Sequence, residues 1–380
     1  MSNYLRSSVI AGAAYAGVGT SPGWSALDLL AQASHKALTD AGLTLADVDG
    51  LCATTFFHFF PTLSAAEYLG ITPSWSNSDT VGGSSFMSQL TQAALAIDAG
   101  LCNVALIAYG SNARSSRNVN GLIETPVHEQ PYNPLVPVSG YALAAARYLH
   151  EFGATRADLA EVVLSSRAWA KLNPDAELRD AISADEITAA PMIASPLSRH
   201  DCCLVSDGGA AIVLTRTDRA KDLRKKPIHV LGNASAHSHR EIAQMPNLTQ
   251  TAARVSGSKA MQQAGVLHNE INLLQLYDAF SINPILFLED LGFCKKGEGA
   301  TLFKERVTYP GGDLPVNTNG GGLSFAHPGA YGLFALIEGI QQLRGESGER
   351  QVLNANIALV HGNGGTLSHQ ATTILSTESN

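Results

Sequence analysis

His327 is the residue around which possible chemistry gathers. It lies in Pro315–Gly329 (PVNTNGGGLSFAHPG), five residues after the run Gly320, Gly321, Gly322 and directly before Pro328. An imidazole titrates near neutral pH and can move protons. Glycines let backbone approach a ligand closely or take positive φ, and a proline stiffens the chain just after the histidine. The pattern predicts a turn that presents one imidazole at the mouth of a pocket, although a tight loop with a structural histidine fits the same residues. A second candidate is the GGSS turn at Gly82–Ser85, which heads an alanine-rich apolar segment running to Gly100. Free N–H groups at a helix start can hold an anion or activate a nucleophile, so Ser84 and Ser85 either act there or cap the helix. His58, among Phe56, Phe57, Phe59 and Phe60, reads more simply as a wall residue. Cys202 and Cys203 are adjacent, with no ligand spacing around them, and read as core residues and no metal site.

The elements that must position these groups alternate regularly. Ser8–Gly17 reads as a buried strand, Ser25–Gly42 as a helix with Ser25 as N-cap and Gly42 as stop, and residues 46–56 as a second strand entering the aromatic loop. After the Thr80–Gly110 helix and strand comes a less regular stretch. It holds helices at Tyr141–Gly153 and Ala157–Ala170 and a proline- and acid-rich loop to Pro196; such insertions shape binding clefts. RHDCCLVSDGGAAIVLT then supplies a glycine turn and an apolar strand, and the basic run Arg219–Lys226 a solvated face. The second half repeats the plan: strand 227–236, helix Thr249–Gly265, strand 271–281, a helix from Asn283, the glycine–histidine stretch with its helix to Gly345, and strands 354–365 and 369–376. Two rounds in one order predict a duplicated α/β fold. A chain of 380 residues suits one large or two fused domains.

Composition excludes several classes. A net charge of -8 without basic runs interleaved with aromatics argues against a nucleic-acid partner. Five cysteines without framework spacing point to a reducing compartment. Neither a signal peptide nor a membrane span is legible, so the expected location is cytoplasmic.

Taken together, Thr80–Gly110, Asp201–Leu214, Leu276–Phe280 (LYDAF), Asn317–Pro328 and Val360–Leu367 resemble the thiolase superfamily, in its sterol-carrier-protein-type, lipid-transfer-protein-like branch. The resemblance implies a five-layered αβαβα core made of an N-terminal half, 1–235, with an insertion at about 111–200, and a C-terminal half, 236–380. It also implies a homodimer and a long acyl-CoA cleft, with coenzyme A as part of the substrate and no bound cofactor or metal. Members of this branch often work with a separate zinc-ribbon/OB-fold subunit.

The residues depart from the family at its chemical centre. A degradative thiolase carries a nucleophilic cysteine at the start of the buried helix, and the family's spacing places it at about Gly83. The family's His-Asp-Ala-Phe motif is Tyr277-Asp278-Ala279-Phe280 here, His327 is kept, and His361 (in HGNGG) replaces the late acid/base cysteine. Without a thiolate no acyl-enzyme forms by the thiolase route, and a serine replaces it only with a strong base nearby. Retro-aldol cleavage of a β-hydroxyacyl-CoA needs no covalent intermediate, only a base at the β-hydroxyl and donors for the thioester enolate. The resemblance implies Tyr277 as acid/base. His327 and an N–H from the Gly83–Ser84 or the Gly364–Gly365 turn would hold the enolate oxygen, with His361 as a further proton-moving group. Asp278, Gly321, Gly322 and His58 are expected beside the substrate. The four phenylalanines suit a bulky steroid-like or aromatic acyl group or a dimer contact. The alternatives are a thiolase or acyltransferase with an unusual nucleophile, or a non-catalytic acyl-CoA or lipid binder.

Overall fold

In the computed structural model, which describes residues 4–117 and 125–379, the chain builds two mixed sheets with the same plan. The strands are β1 (Ser8–Gly19), β2 (Gly50–Thr54), β3 (Trp75–Asn77), β4 (Val104–Ser111), β5 (Met192–Ala194), β6 (Leu197–Ser198), β7 (Asp207–Arg216), β8 (His229–His237), β9 (Leu273–Leu276), β10 (Ile357–Gly364) and β11 (His369–Ser376). The first sheet runs β1-β7-β4-β2-β3 and the second β8-β11-β10-β9; β5 and β6 form a small hairpin. In both sheets the first two pairings are antiparallel and the next is parallel. That shared order of directions is the duplication read from the alternating elements.

Two helices, Ser85–Asp98 and Gly332–Arg344, lie between the sheets and touch each other, while Ala26–Ala41 and Ala253–Ala264 cover the outer faces. The result is the five-layered αβαβα arrangement. The helices form for local reasons. Ser25 caps the first with a capping box, and Gly42 ends it in the left-handed region at φ 75°. Gly332–Arg344 has eleven buried positions, as a helix covered on most faces must.

Three sequence expectations shift. The strand foreseen over 271–281 stops at Leu276, because the chain turns there into the helix Ile282–Asp290. Tyr277 and Asp278 are thus freed from the ladder. The run to Pro196 was expected to be loop, but it holds the helix Ala184–Ala189, fastened by a Ser183–Glu186 capping box, and the β5–β6 hairpin. The aromatic loop continues into the helix Pro61–Leu69, with the proline in the first turn. Of the expected insertion, residues 118–124 lie outside the described residues. Its described part braces the second half. Trp169 Nε1 donates to the Thr308 carbonyl (2.8 Å), Ser166 Oγ to the Gly320 carbonyl (2.5 Å) and Asn173 Nδ2 to the Asn319 carbonyl (2.9 Å). Among the described residues no helix is long and apolar enough to cross a membrane.

Candidate active site

Strand β9 ends at Leu276, in register with His361 of the parallel strand β10, which runs on to Gly364. One residue on, the Tyr277 N–H donates to the His361 carbonyl (3.0 Å), which ties the Tyr277 backbone to β10. The segment that brings in the glycine run lies along the other edge of β9. Asn317 N–H donates to the Leu274 carbonyl, and Asn317 Oδ1 accepts the Leu276 N–H (2.7 Å). Gly320 (φ 101°) and Gly321 (φ 61°) then start a short π-helical turn, Gly321–Phe325, that delivers His327 to Tyr277.

The Tyr277 hydroxyl lies 2.9 Å from His327 Nε2 and accepts the Tyr331 N–H (3.1 Å). With that N–H on its oxygen, we assign the phenol proton to the hydrogen bond with Nε2, the arrangement that uses the hydroxyl as both donor and acceptor; the imidazole then accepts and carries its proton on Nδ1. Burial holds the phenol well above its ordinary pKa, with the Tyr331 N–H acting the other way. Burial also lowers the His327 imidazole to about 4, so it is neutral at pH 7. His327 as a whole is half-buried. Its backbone is pinned to Ser206 from both sides: its N–H donates to Ser206 Oγ (3.1 Å), and its carbonyl accepts the Ser206 N–H (3.3 Å).

Around this pair the structure sorts the expected residues. Asp278 faces the glycine loop, where Oδ1 accepts the Gly322 N–H (2.6 Å) and Oδ2 the Leu323 N–H (3.3 Å). Desolvation raises its carboxyl to about 7, against those two donors. A Cβ on Gly321 would stand 2.1 Å from Asp278 Oδ2, so the loop closes on the carboxylate only as glycine. Asp278, Gly321 and Gly322 therefore form the support beneath His327. Gly83 lies under the phenol ring: a Cβ there would be 2.1 Å from Tyr277 Cε2. Gly364 closes on the same turn from the second half, its missing Cβ lying 1.7 Å from the Val81 carbonyl oxygen. Gly365, at φ 59°, comes next, and its carbonyl accepts the Tyr141 hydroxyl (2.8 Å).

Other expected residues point elsewhere. Ser84 is buried and does not cap its helix; its Oγ is 2.8 Å from His369 Nδ1. Ser85 Oγ donates to the Gly82 carbonyl (2.6 Å) and accepts the Val81 N–H (2.8 Å), closing the turn. His361 is wholly buried with both ring nitrogens engaged, Nδ1 by Thr372 Oγ1 (2.9 Å) and Nε2 by Gln370 Oε1 (2.8 Å), and its ring rests on Phe287. No hydrogen bond joins that ring to the Tyr277–His327 pair. His58 lies in a surface groove of about 630 Å³ with Leu27, Phe60, Leu63, Glu67 and Tyr68. In the aromatic loop Phe56 packs edge-on against Tyr109, while Phe59 and Phe60 are exposed. Cys102 and Cys202 are raised to about 12 by burial, and none of the five cysteines begins the helix Ser85–Asp98. Among the described residues no group of three His, Cys, Asp or Glu is placed to hold a metal ion.

Sequence reasoning missed Tyr331 and His369. Tyr331 is buried, stacks near His327 (6.4 Å between centroids) and donates its hydroxyl to Asn319 Oδ1 (2.8 Å). Its place four residues after His327, at the head of a helix, was the available signal. His369 opens an ordinary strand and offered none.

Comparison with known proteins agrees with this architecture. Residues 234–377 match the family model described as thiolase C-terminal domain-like. The chain is 32% identical over 350 residues to an acetyl-CoA acetyltransferase of Methanothermobacter thermautotrophicus, covering 89% of this chain and 91% of that one. It is 30% identical over 386 residues to a steroid side-chain-cleaving aldolase of Thermomonospora curvata, covering 94% and 97%. A solved structure described as an Ltp2-ChsH2(DUF35) aldolase superposes with a TM-score of 0.89 at 29% identity, covering 97% of each chain. The two-sheet fold is thus that of the thiolases. The chain belongs to the thiolase superfamily, in its sterol-carrier-protein-type, lipid-transfer-protein-like branch.

Proposed function

We propose that this protein is an acyl-CoA carbon–carbon lyase that cleaves a bulky β-hydroxyacyl-CoA by retro-aldol chemistry. The observation that carries this reading is the hydrogen-bonded Tyr277–His327 pair standing over Gly83, a residue with no side chain to act as nucleophile. The β-hydroxyl proton passes to the Tyr277 oxygen while the phenol proton moves to His327 Nε2. The Cα–Cβ bond breaks, leaving a carbonyl product and a thioester enolate. The imidazolium balances the new negative charge in a site of low dielectric, which offsets the poor basicity of a buried histidine. Its proton returns through Tyr277 to the enolate carbon. Because Nε2 is occupied as acceptor, the enolate oxygen falls to backbone N–H groups of the Gly83–Ser84 or Gly364–Gly365 turn. His361, with both nitrogens engaged, supports the strand ends without moving protons.

A product assay on bulky β-hydroxyacyl-CoA and β-ketoacyl-CoA thioesters, with and without free CoA, tests this. Cleavage of hydroxy substrates without CoA, lost in Tyr277→Phe, is the expected result. Cleavage of keto substrates only, and only with CoA, overturns it. One observation favours a second reading, acyl transfer: Ser84 Oγ is within hydrogen-bond reach of His369. That reading requires an acyl mass on Ser84 after incubation with substrate.

The sequence-derived division near residue 235 is part of this proposal, as are a homodimer, through the outer edge of β3 and the exposed Phe59, Phe60, Leu63 and Tyr68, and a separate accessory subunit. The paired proteins named in the solved aldolase support the accessory subunit. Light scattering, alone and with a zinc-ribbon/OB-fold protein, measures both.

A further inference from the structure

Gly83 is glycine for one steric reason. Its neighbour Gly82 has φ 84°, in the left-handed region, but Gly83 sits in the short helical turn Gly82–Ser84 without a positive φ, where any residue is conformationally at ease. What a side chain would meet is Tyr277. A Cβ would lie 2.1 Å from Cε2, 2.5 Å from Cζ and 2.5 Å from the hydroxyl oxygen, with no other neighbour as close. The phenol cannot step aside and keep its partners. Its hydroxyl is held by His327 and the Tyr331 N–H, its ring lies edge-on against Tyr331 (5.7 Å), and its backbone is tied to His361.

We infer that residues 83 and 277 form a steric lock that sets the reaction type: the acid/base phenol and a side chain at the head of the buried helix exclude each other. With tyrosine at 277, no nucleophile can be mounted at 83, and chemistry there is confined to non-covalent proton transfer. With any side chain at 83, the phenol oxygen is driven off His327. This inference rests on the lyase reading above for its consequence in catalysis, but the lock itself is a packing statement that can be measured separately.

The experiment is a double-mutant cycle of Gly83→Ala and Tyr277→Ala read by thermal unfolding, with cleavage assayed in Gly83→Ala. Gly83→Ala alone is expected to lower Tm by about 2 to 4 °C and cut CoA-independent cleavage by about 100-fold. In the Tyr277→Ala background, where the space is empty, the same change is expected to cost no Tm. Should Gly83→Ala fail to fold, folding of the double variant supports the lock, and failure of both overturns it. An equal Tm loss in both backgrounds, or full cleavage by Gly83→Ala, also overturns it. As a second readout, the thiol of Gly83→Cys is expected to react with iodoacetamide at least about tenfold faster once Tyr277→Ala is added; equal rates overturn the lock. If the native protein cleaves no hydroxyacyl-CoA, the lyase reading fails while the Tm cycle still decides the lock.

Discussion

Two hydroxyl–imidazole pairs meet the chain at neighbouring residues, and the difference between them lies in what surrounds the oxygen. Over Gly83, the Tyr277 oxygen receives a backbone N–H and sits 2.9 Å from the imidazole of the half-buried His327. At Ser84, the Oγ sits 2.8 Å from His369 Nδ1, but the Val81 and His369 carbonyl oxygens are its other neighbours, each at 3.4 Å. An N–H stabilises negative charge on oxygen, whereas carbonyl oxygens repel it. Ser84 is also fully buried. Similar distances therefore support opposite roles. On the proposed reading the tyrosine exchanges a proton, and the serine ties the first half's helix to the β10–β11 turn.

The sharpest break of this contrast is Tyr277→Phe, expected to lower kcat by about 100-fold or more with little loss of stability. His327→Gln is expected to cost a similar factor. The double variant should lose scarcely more than either alone, because the two act as one relay; full multiplication of the two losses would separate them. Next is pH. His327 accepts a proton only while neutral and is lowered to about 4. The acid limb of kcat/KM should then fall near pH 4, with no inflection at the ordinary histidine value of about 6.5. An inflection near 6.5 in the rate profile would assign the base elsewhere.

Ser84→Ala is expected to change kcat/KM by less than about threefold, with a modest loss of Tm from the lost bond to His369. A loss of about 100-fold would reverse the comparison. The smallest effect concerns the support beneath the pair. Asp278 is raised to about 7, so the folded state holds a proton that the unfolded chain releases near 3.8. Its contribution to stability is complete below about pH 4 and is lost as pH rises through 7. Thermal unfolding from pH 4 to 8 should show Tm falling across that window, and Asp278→Asn should flatten the fall.

Much of the fold was legible because it is written in short-range pattern. The Ser25 cap and Gly42 stop, the apolar periodicity of Gly332–Arg344 and the alternation of strands and helices each depend on residues within a few turns of one another. Tyr277 and His327 were found through motif spacing, and the structure places them in contact. His361 and Ser84 were found by the same means, yet their side chains are occupied by Thr372, Gln370 and His369. Motif spacing says where a residue falls along the chain and nothing about which way its side chain turns. The strand expected through Ser281 erred for a related reason: hydrophobic pattern does not mark where a ladder partner ends.

The sequence by itself determined the duplicated α/β plan, the absence of a thiol at the head of the buried helix, and the presence of Tyr277 and His327 in the motifs of the resemblance. Only the tertiary structure decided which groups meet. Tyr277 and His327 are 50 residues apart, Ser84 and His369 285. Gly83 and Tyr277, from different sheets' connections, share one volume. Such encounters are settled by the packing of whole layers at close-packed density, where one side chain excludes another. That is how a glycine in a helical turn becomes the complement of the Tyr277 phenol.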